Sequence, residues 1–380
     1  MKRSGLSYYS QPWLTGLLSN YKSLHRRESH YFQRFSLVLG SLDDGMNQRI
    51  LLIGLILLLK HSISLAQDIH WSQFNDIPMF QNPGHAGHFD GDYRFVGNYR
   101  NQWRSVTVPF STISMSADMH LQNYRNLGVG LLFFHDAVGD GKLQTAELQA
   151  NISYLLRLTS DSSHILRGGM NFGMNHRQIN WNQLYFDNQF NGTQFDPNLP
   201  TNESFQTDRK TNLSLGAGIL YEYLINKREK ITAGFGAFNL NRPNQGFYTA
   251  IIPRDIRYNL FVKGIYAIDS DWDLIPSFNL SIQGKYREFV AGSSLKYTLI
   301  NKRGNYKALY GGIWYRTADA AYVSVGMDYQ SWFVGLSYDI NFSKLVPASN
   351  MRGGFEIATR YILSRFKPKK MQHRVCPDFI

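Results

Sequence analysis

From Tyr93 onward, apolar and polar positions alternate with period two, which places successive side chains on opposite faces of a β-strand. The clearest stretch is 145–158. Ala146, Leu148, Ala150, Ile152, Tyr154, Leu156 and Leu158 fall on one face, Thr145, Glu147, Gln149, Asn151, Ser153 and Arg157 on the other, and Leu155 alone breaks the rule. Residues 110–121 repeat it, with Ile113, Met115, Ala117, Met119 and Leu121 opposite Thr112, Ser114, Ser116, Asp118 and His120. The pattern predicts about 14 strands, near 93–104, 110–121, 126–136, 143–158, 164–178, 212–223, 230–240, 254–268, 272–285, 288–299, 306–316, 320–329, 332–342 and 352–363. No helical stripe competes with them.

Segment length decides the class. Strands of soluble proteins usually have about 5 to 6 residues, whereas tilted strands that cross a bilayer need about 9 to 11. An even number of long segments, with Tyr, Trp and Phe near their ends and one wet face, predicts an all-β transmembrane up-and-down β-barrel of about 14 antiparallel strands, surrounded by outer-membrane lipid. Backbone hydrogen bonding gives the reason, because in hydrocarbon only a closed sheet leaves no unpaired edge. The three longest connections, 179–211, 241–253 and 343–351, all follow odd-numbered segments. Odd connections share one side of such a barrel, so the long loops are expected to be extracellular and both termini periplasmic.

Ahead of the alternating region, residues 46–66 read as a secretory signal peptide. Arg49 precedes an apolar run from Ile50 to Leu59, and Ser64, Leu65 and Ala66 then place small residues at −3 and −1 before Gln67. Residues 1–45 have no comparable periodicity, so Met46 is the expected true start. The expected organisation is 67–92 as the mature amino-terminal segment, 93–366 as the barrel and 367–380 as a carboxyl-terminal tail. The apolar run is about half of the roughly 20 residues a spanning helix needs, which argues against a helical membrane protein and leaves a barrel open.

Charge and composition narrow the chemistry. The chain carries 40 Lys plus Arg against 28 Asp plus Glu, a formal +12. Eight of the basic residues but only three of the acidic ones precede Gln67, so the mature balance falls to +7 and nucleic acid is not an expected partner. A single Cys excludes a disulfide scaffold or a Cys-based metal site. Charged residues make up 18%, below the roughly 25% of a soluble domain. The histidines show no metal-ligand spacing and no cofactor motif occurs, so neither a metal nor a cofactor is expected. Ser293 and Lys296 have a Ser-x-x-Lys spacing, but positions three apart in a strand point to opposite faces. Ser116 and His120 share a face about 13 Å apart, too far for nucleophile and base. Residues 136–141 resemble part of a calcium loop without its remaining ligands, and Asp140-Gly141 reads as a hairpin turn. The expected role is non-enzymatic.

The polar faces define a lumen. Arg94, Asn98, Arg100, Gln102 and Arg104 line one face of the first strand, and Asp118, Glu147, Glu222, Arg257, Lys263, Lys285, Lys296, Asp328 and Asp339 should join them. Mixed signs at close quarters favour a salt-bridged, partly filled interior over a single-sign filter, although wet walls are equally compatible with an open channel. On the outside, loop 179–211 carries Trp181, Tyr185, Phe186, Phe190 and Phe195 among Asn and Asp residues. Aromatic anchors in polar surroundings suit a partner-binding surface. A loop folded over the barrel mouth would use the same residues.

Several stretches resemble the PorP/SprF family of type IX secretion-associated outer-membrane proteins of the Bacteroidetes. Gln67-Asp68, Ser72-Gln73-Phe74 and Asn82-Pro83-Gly84 resemble that family's opening elements, and Tyr99-Arg100-Asn101-Gln102-Trp103 its next hallmark. Pro109-Phe110-Ser111-Thr112, Gly139-Asp140-Gly141, Asn241-Arg242-Pro243-Asn244-Gln245, Gly311-Gly312-Ile313-Trp314-Tyr315-Arg316 and Gly335-Leu336-Ser337-Tyr338-Asp339 follow in order. Residues 84–87 depart from the usual pattern after Asn-Pro, and the tail extends past residues 355–366, the expected barrel-insertion signal. The resemblance implies action with the type IX secretion machinery in export or surface attachment of one adhesin-like partner bearing a type IX carboxyl-terminal sorting domain, with a link to gliding motility. A passive channel for small solutes is the alternative.

Overall fold

The computed structural model describes residues 69–102, 108–121, 126–139, 142–202, 207–247, 251–302, 304–343 and 346–364. Segments 1–45, 46–66 and 367–380, together with Trp103 and Arg104, lie outside the described residues. The strands are β1 (Tyr93–Gln102), β2 (Phe110–His120), β3 (Leu127–Val138), β4 (Leu143–Arg157), β5 (His164–Gln178), β6 (Arg209–Leu224), β7 (Lys230–Phe238), β8 (Arg257–Ala267), β9 (Trp272–Gln283), β10 (Tyr286–Lys302), β11 (Asn305–Arg316), β12 (Ala320–Tyr329), β13 (Trp332–Asn341) and β14 (Arg352–Leu363). Each pairs antiparallel with its sequence neighbours, and β1 pairs with β14 to close the barrel. No helix among the described residues is long and apolar enough to cross a membrane.

The alternation read from the sequence becomes inside and outside. Along β13 exposed and buried residues alternate without a break: Val334, Leu336, Tyr338 and Ile340 face out, while Ser337 and Asp339 are buried inside. Leu155, the one exception in its segment, is buried on the lumen side. The outward face is a belt of exposed Leu, Ile, Val, Met and aromatic residues, which only lipid can cover without cost. At the end carrying the short turns after even strands, the belt has an aromatic rim: Trp272 packs on Tyr297 and Trp332 on Tyr361, both at 4.6 Å. Tyr315 stacked on Phe342 marks the opposite rim.

Several strand boundaries differ from expectation, and one expected lumen residue moves out of its strand. β6 begins at Arg209 and not at residue 212, so the loop before it spans 179–208; polar residues 209–211 continue the ladder opposite 176–178 at the rim, where no apolar alternation announces a strand. β8 begins at Arg257, and the connection from β7 lengthens to 239–256. Lys285, expected inside, sits exposed in the tight turn after β9, where Gly284 takes φ +57.

Residues 69–92 run down the inside of the barrel in three short turns, Phe74–Asp76, Pro78–Gln81 and Pro83–His85. Pro78 and Pro83 open the second and third turns, positions where the missing N–H costs no hydrogen bond. The Asn82 side chain caps the third turn by accepting from the Gly84 N–H at 2.8 Å. Trp71 to Phe74, Ile77 to Met79 and Gln81 to Gly87 are buried, so this segment fills the lumen as a plug.

Candidate functional site

The half of the plug toward the long-connection end of the barrel, called its outer half, is held by charge. Arg100 on β1 and its cross-strand neighbour Glu356 on β14 pair at 2.8 Å, and Arg100 also meets Asp339 on β13 at 2.8 Å. Arg316, the last residue of β11, reaches Asp339 at 3.0 Å. Ser72 enters this cluster: its Oγ donates to Asp339 at 2.7 Å and accepts from Arg316 at 2.8 Å and from Arg100. The Ser72 and Gln73 N–H groups donate to the two Glu356 oxygens at 2.7 and 2.9 Å, and the Tyr322 hydroxyl donates to the Ser72 carbonyl at 2.7 Å. Beside them Phe74 meets Trp314 edge-on, and Trp314 stacks on Tyr322. Arg100, Arg316, Asp339 and Glu356 are all fully buried, so removing one partner of this cluster is expected to cost about 3–5 kcal/mol.

The inner half is held mainly through its backbone. Asp118 on β2 pairs with Arg94 at 2.7 Å and accepts from the Gly87 N–H at 2.7 Å, while Arg94 donates to the carbonyls of His85 and His88. Ser153 donates to the Ala86 carbonyl at 2.6 Å, and Asn82 donates to the Ile219 carbonyl at 2.9 Å. Wall glycines permit this approach. A Cβ on Gly169 would lie 2.3 Å from the Gly84 nitrogen, and one on Gly128 would lie 2.1 Å from the Ala86 oxygen. His88 pairs with Glu222 at 3.0 Å, and Lys230 reaches the same carboxylate at 3.1 Å. Burial holds the imidazoles of His70 and His85 well below the usual 6.5, with Arg316 and Arg100 adding to the effect at His70 and His88 and Arg94 at His85. Burial lowers His88 as well, outweighing Glu222.

The wall stays polar where the plug does not pair with it. Asn98, Asn171, Ser277, Asn279 and Ser337 are buried on the lumen side, each with a side-chain polar atom lacking a protein partner. Between the outer half of the plug and β8 to β10 lies a cavity of about 30 Å³, lined by His70, Trp71, Phe74 and Ile77 on one side and Asn259, Asn279, Ser281 and Gln283 on the other. It has room for about two water molecules.

Outside the barrel, loop 179–208 sorts its five aromatic residues into two groups. Trp181 donates its indole N–H to the Thr207 carbonyl at 3.3 Å and packs edge-on against Phe247 of the neighbouring long loop, and Phe186 is half-buried. Tyr185, Phe190 and Phe195 are 77%, 57% and 37% exposed. Phe190 and Phe195 face each other across a one-bridge hairpin, and Tyr185 packs edge-on against Phe195 at 4.5 Å.

Of the expected lumen residues, Arg94 with Asp118 and Arg100 with Asp339 meet in the two halves of the plug site. Glu147 lies apart, paired with Arg254 of the β7–β8 connection at 3.0 Å, and Glu222 lies with His88. Periodicity gave no reason to single out Ser72, Gln73, Arg316 or Glu356. The first three stand inside motifs that carried the family resemblance, whereas Glu356 has only its inward parity in the last strand. His120 stacks on Phe89 and does not meet Ser116, and Asp136 accepts from Thr112 at 2.7 Å from within β3. No group of three or more His, Cys, Asp or Glu side chains able to hold a metal occurs among the described residues.

A closed antiparallel barrel with an apolar outer belt and a polar, plugged interior is an outer-membrane β-barrel. The family model described as type IX secretion system membrane protein PorP/SprF matches residues 63–361, and the chain belongs to that family. No curated protein matches the chain. Among solved structures, the Pseudomonas putida toluene transporter TodX is 10% identical with a TM-score of 0.47, covering 78% of this chain and 94% of its own. The Ralstonia pickettii toluene transporter TbuX is 9% identical, TM-score 0.46, covering 76% and 94%. A Pseudomonas aeruginosa FadL homologue is 12% identical, TM-score 0.44, covering 74% and 93%.

Proposed function

We propose that this barrel serves the type IX secretion machinery as the outer-membrane receiver of one secreted, adhesin-like surface protein, with its long loops turned outward and Tyr185, Phe190 and Phe195 as the contact. The observation that carries the reading is the form of loop 179–208. Its base is braced by Trp181 on Phe247, while three aromatic rings stand exposed together, the combination that gives strong contacts at little cost in ordering. The partner is of the class carrying a type IX carboxyl-terminal sorting domain, and gliding motility is a process such an anchor would serve. A standing-open pore for solutes fits less well with a lumen filled by 69–92. The experiment is deletion followed by comparison of surface proteomes. Loss of one large surface protein, restored by the wild-type barrel but not by one carrying Tyr185→Ser, Phe190→Ser and Phe195→Ser, supports the proposal. An unchanged surface proteome overturns it.

A further inference from the structure

The two halves of the plug are held differently. The inner half is bound backbone to wall, with Asn82, Ala86 and Gly87 seated against strands whose glycines leave no spare space. The outer half is fixed by side chains: besides the cluster that holds Ser72 and Gln73, His70 lies 3.9 Å from Glu288 on β10 and Asp76 pairs with Arg360 on β14 at 3.1 Å. Ser72 and Gln73 attach to the cluster on β1, β11, β13 and β14, whereas toward β8 to β10 the apolar side chains of the same segment face a small cavity whose strand side carries Asn259, Asn279, Ser281 and Gln283. Asn279 and Ser277 on that cavity side, and Asn98 and Ser337 near the attached side, are buried with no protein partner for part of their hydrogen-bonding capacity. A permanent interior would gain from replacing such groups by apolar ones, while a wall that is periodically wetted needs them as they are.

We propose that residues 69–77 are a latch on a gated lumen: Ser72 and Gln73 undock from Arg100, Arg316, Asp339 and Glu356, residues 78–88 remain seated, and a water-lined path for small hydrophilic solutes opens along the polar faces of β8 to β14. Undocking exchanges hydrogen bonds and the Asp76–Arg360 ion pair for water, with Arg360 keeping Asp328 at 3.6 Å, and breaks no covalent bond. The four wall charges stay neutralised by one another when Ser72 leaves, because the Arg100–Glu356, Arg100–Asp339 and Arg316–Asp339 pairs are all within the wall. The released state therefore strands no isolated buried ion, which keeps it accessible. The latch concerns the lumen and not the loops, so it stands or falls separately from the cargo reading.

The test uses the full chain in lipid bilayers. Ser72→Glu puts a bulky carboxylate at a position with no room for it and leaves every wall residue unchanged. With Cys376→Ser removing the native thiol, a cysteine introduced by Phe74→Cys is labelled by a water-soluble maleimide, and single-channel current is recorded from the same preparations. The wild-type latch should be labelled slowly and be silent. Ser72→Glu should raise the labelling rate at least about tenfold and produce discrete conductance steps, while the heat-dependent gel shift of the folded barrel is retained. Gln73→Pro, which removes one N–H donor to Glu356 at a residue already at φ −88, should act in the same direction more weakly. Fast labelling without conductance overturns the gated path. Unchanged labelling in both variants overturns the latch, as does full conductance in the wild type.

Discussion

Gly168 and Gly169 are adjacent in β5 yet face opposite worlds, and exchanging each for Ala isolates the plug from the barrel. At Gly168 an added Cβ meets nothing within 4 Å, because the residue points to the lipid side. At Gly169 it would sit 2.3 Å from the Gly84 nitrogen and 2.5 Å from the Pro83 carbonyl carbon, an overlap of more than about 1 Å with ordinary contact. Both are backbone atoms of the plug, held in place by Asn82 on the Ile219 carbonyl and by Gly87 on Asp118, so no flexible side chain can absorb the clash. Overpacking of this kind costs about 1–3 kcal/mol, which shifts the docked-to-released ratio by roughly 5- to 150-fold. Met79, buried beside Gly130, provides the reporter: Met79→Cys with Cys376→Ser, labelled by a water-soluble maleimide in proteoliposomes. Gly169→Ala should raise the labelling rate within that range and Gly168→Ala should leave it unchanged. Equal rates in the two variants would refute the seating of the third turn against β5.

Other consequences are as direct. Tyr185→Ser, Phe190→Ser and Phe195→Ser together should abolish capture of the secreted partner in a cell-surface binding assay without changing the melting temperature of the barrel, since none of the three is buried. Acidification should loosen the plug. His70, packed near Arg100, Arg316 and Glu288, sits well below 6.5 when docked, so the released segment binds more protons than the docked one. Docking is then strongest above about pH 6.5 and weakens as pH falls through that value. The mobility of a nitroxide attached through Ile69→Cys, followed by electron paramagnetic resonance, should rise over that window, and a flat profile would count against it. Trp332→Ala removes the ring packed on Tyr361 at the short-turn rim and should lower thermal stability in lipid by about 1 kcal/mol, checked by heat-dependent gel mobility.

The strands were legible because each must keep one face greasy and the other wet, a condition written residue by residue in Ala146 to Leu158 or Val334 to Ile340. Where that condition lapses the reading lost its edge. Residues 209–211 carry no alternation and still pair with β5. Lys285 has an inward parity that the turn at Gly284 cancels. The plug was not legible from pattern at all. Its turns are too short for a helical period, and the glycines that seat it, such as Gly128 and Gly169, look in sequence like any strand glycine. Ser72 and Arg100 lie far in sequence from Arg316 and Asp339, and four of the motifs that carried the family resemblance each supply one member of a single cluster.

That convergence raises the question of whether Arg100 and Glu356 serve the plug or the seam, since they are direct neighbours across the β1–β14 closure. An exchange of the two separates the roles. Arg100→Glu alone places three carboxylates together with only Arg316 to balance them and should destabilise both seam and plug. Adding Glu356→Arg restores an opposite-charge pair across the same two strands, so the thermal stability of the barrel should largely return. The plug should not return with it, because the Ser72 and Gln73 N–H donors would then face a guanidinium, which has no acceptor to offer. Maleimide labelling at Phe74→Cys should therefore stay fast in the exchanged protein while its heat-dependent mobility reverts to wild type. If labelling slows to the wild-type rate as well, the bonds from the Ser72 and Gln73 amides to Glu356 contribute nothing of their own, and the cluster is a seam fastener that the plug merely touches.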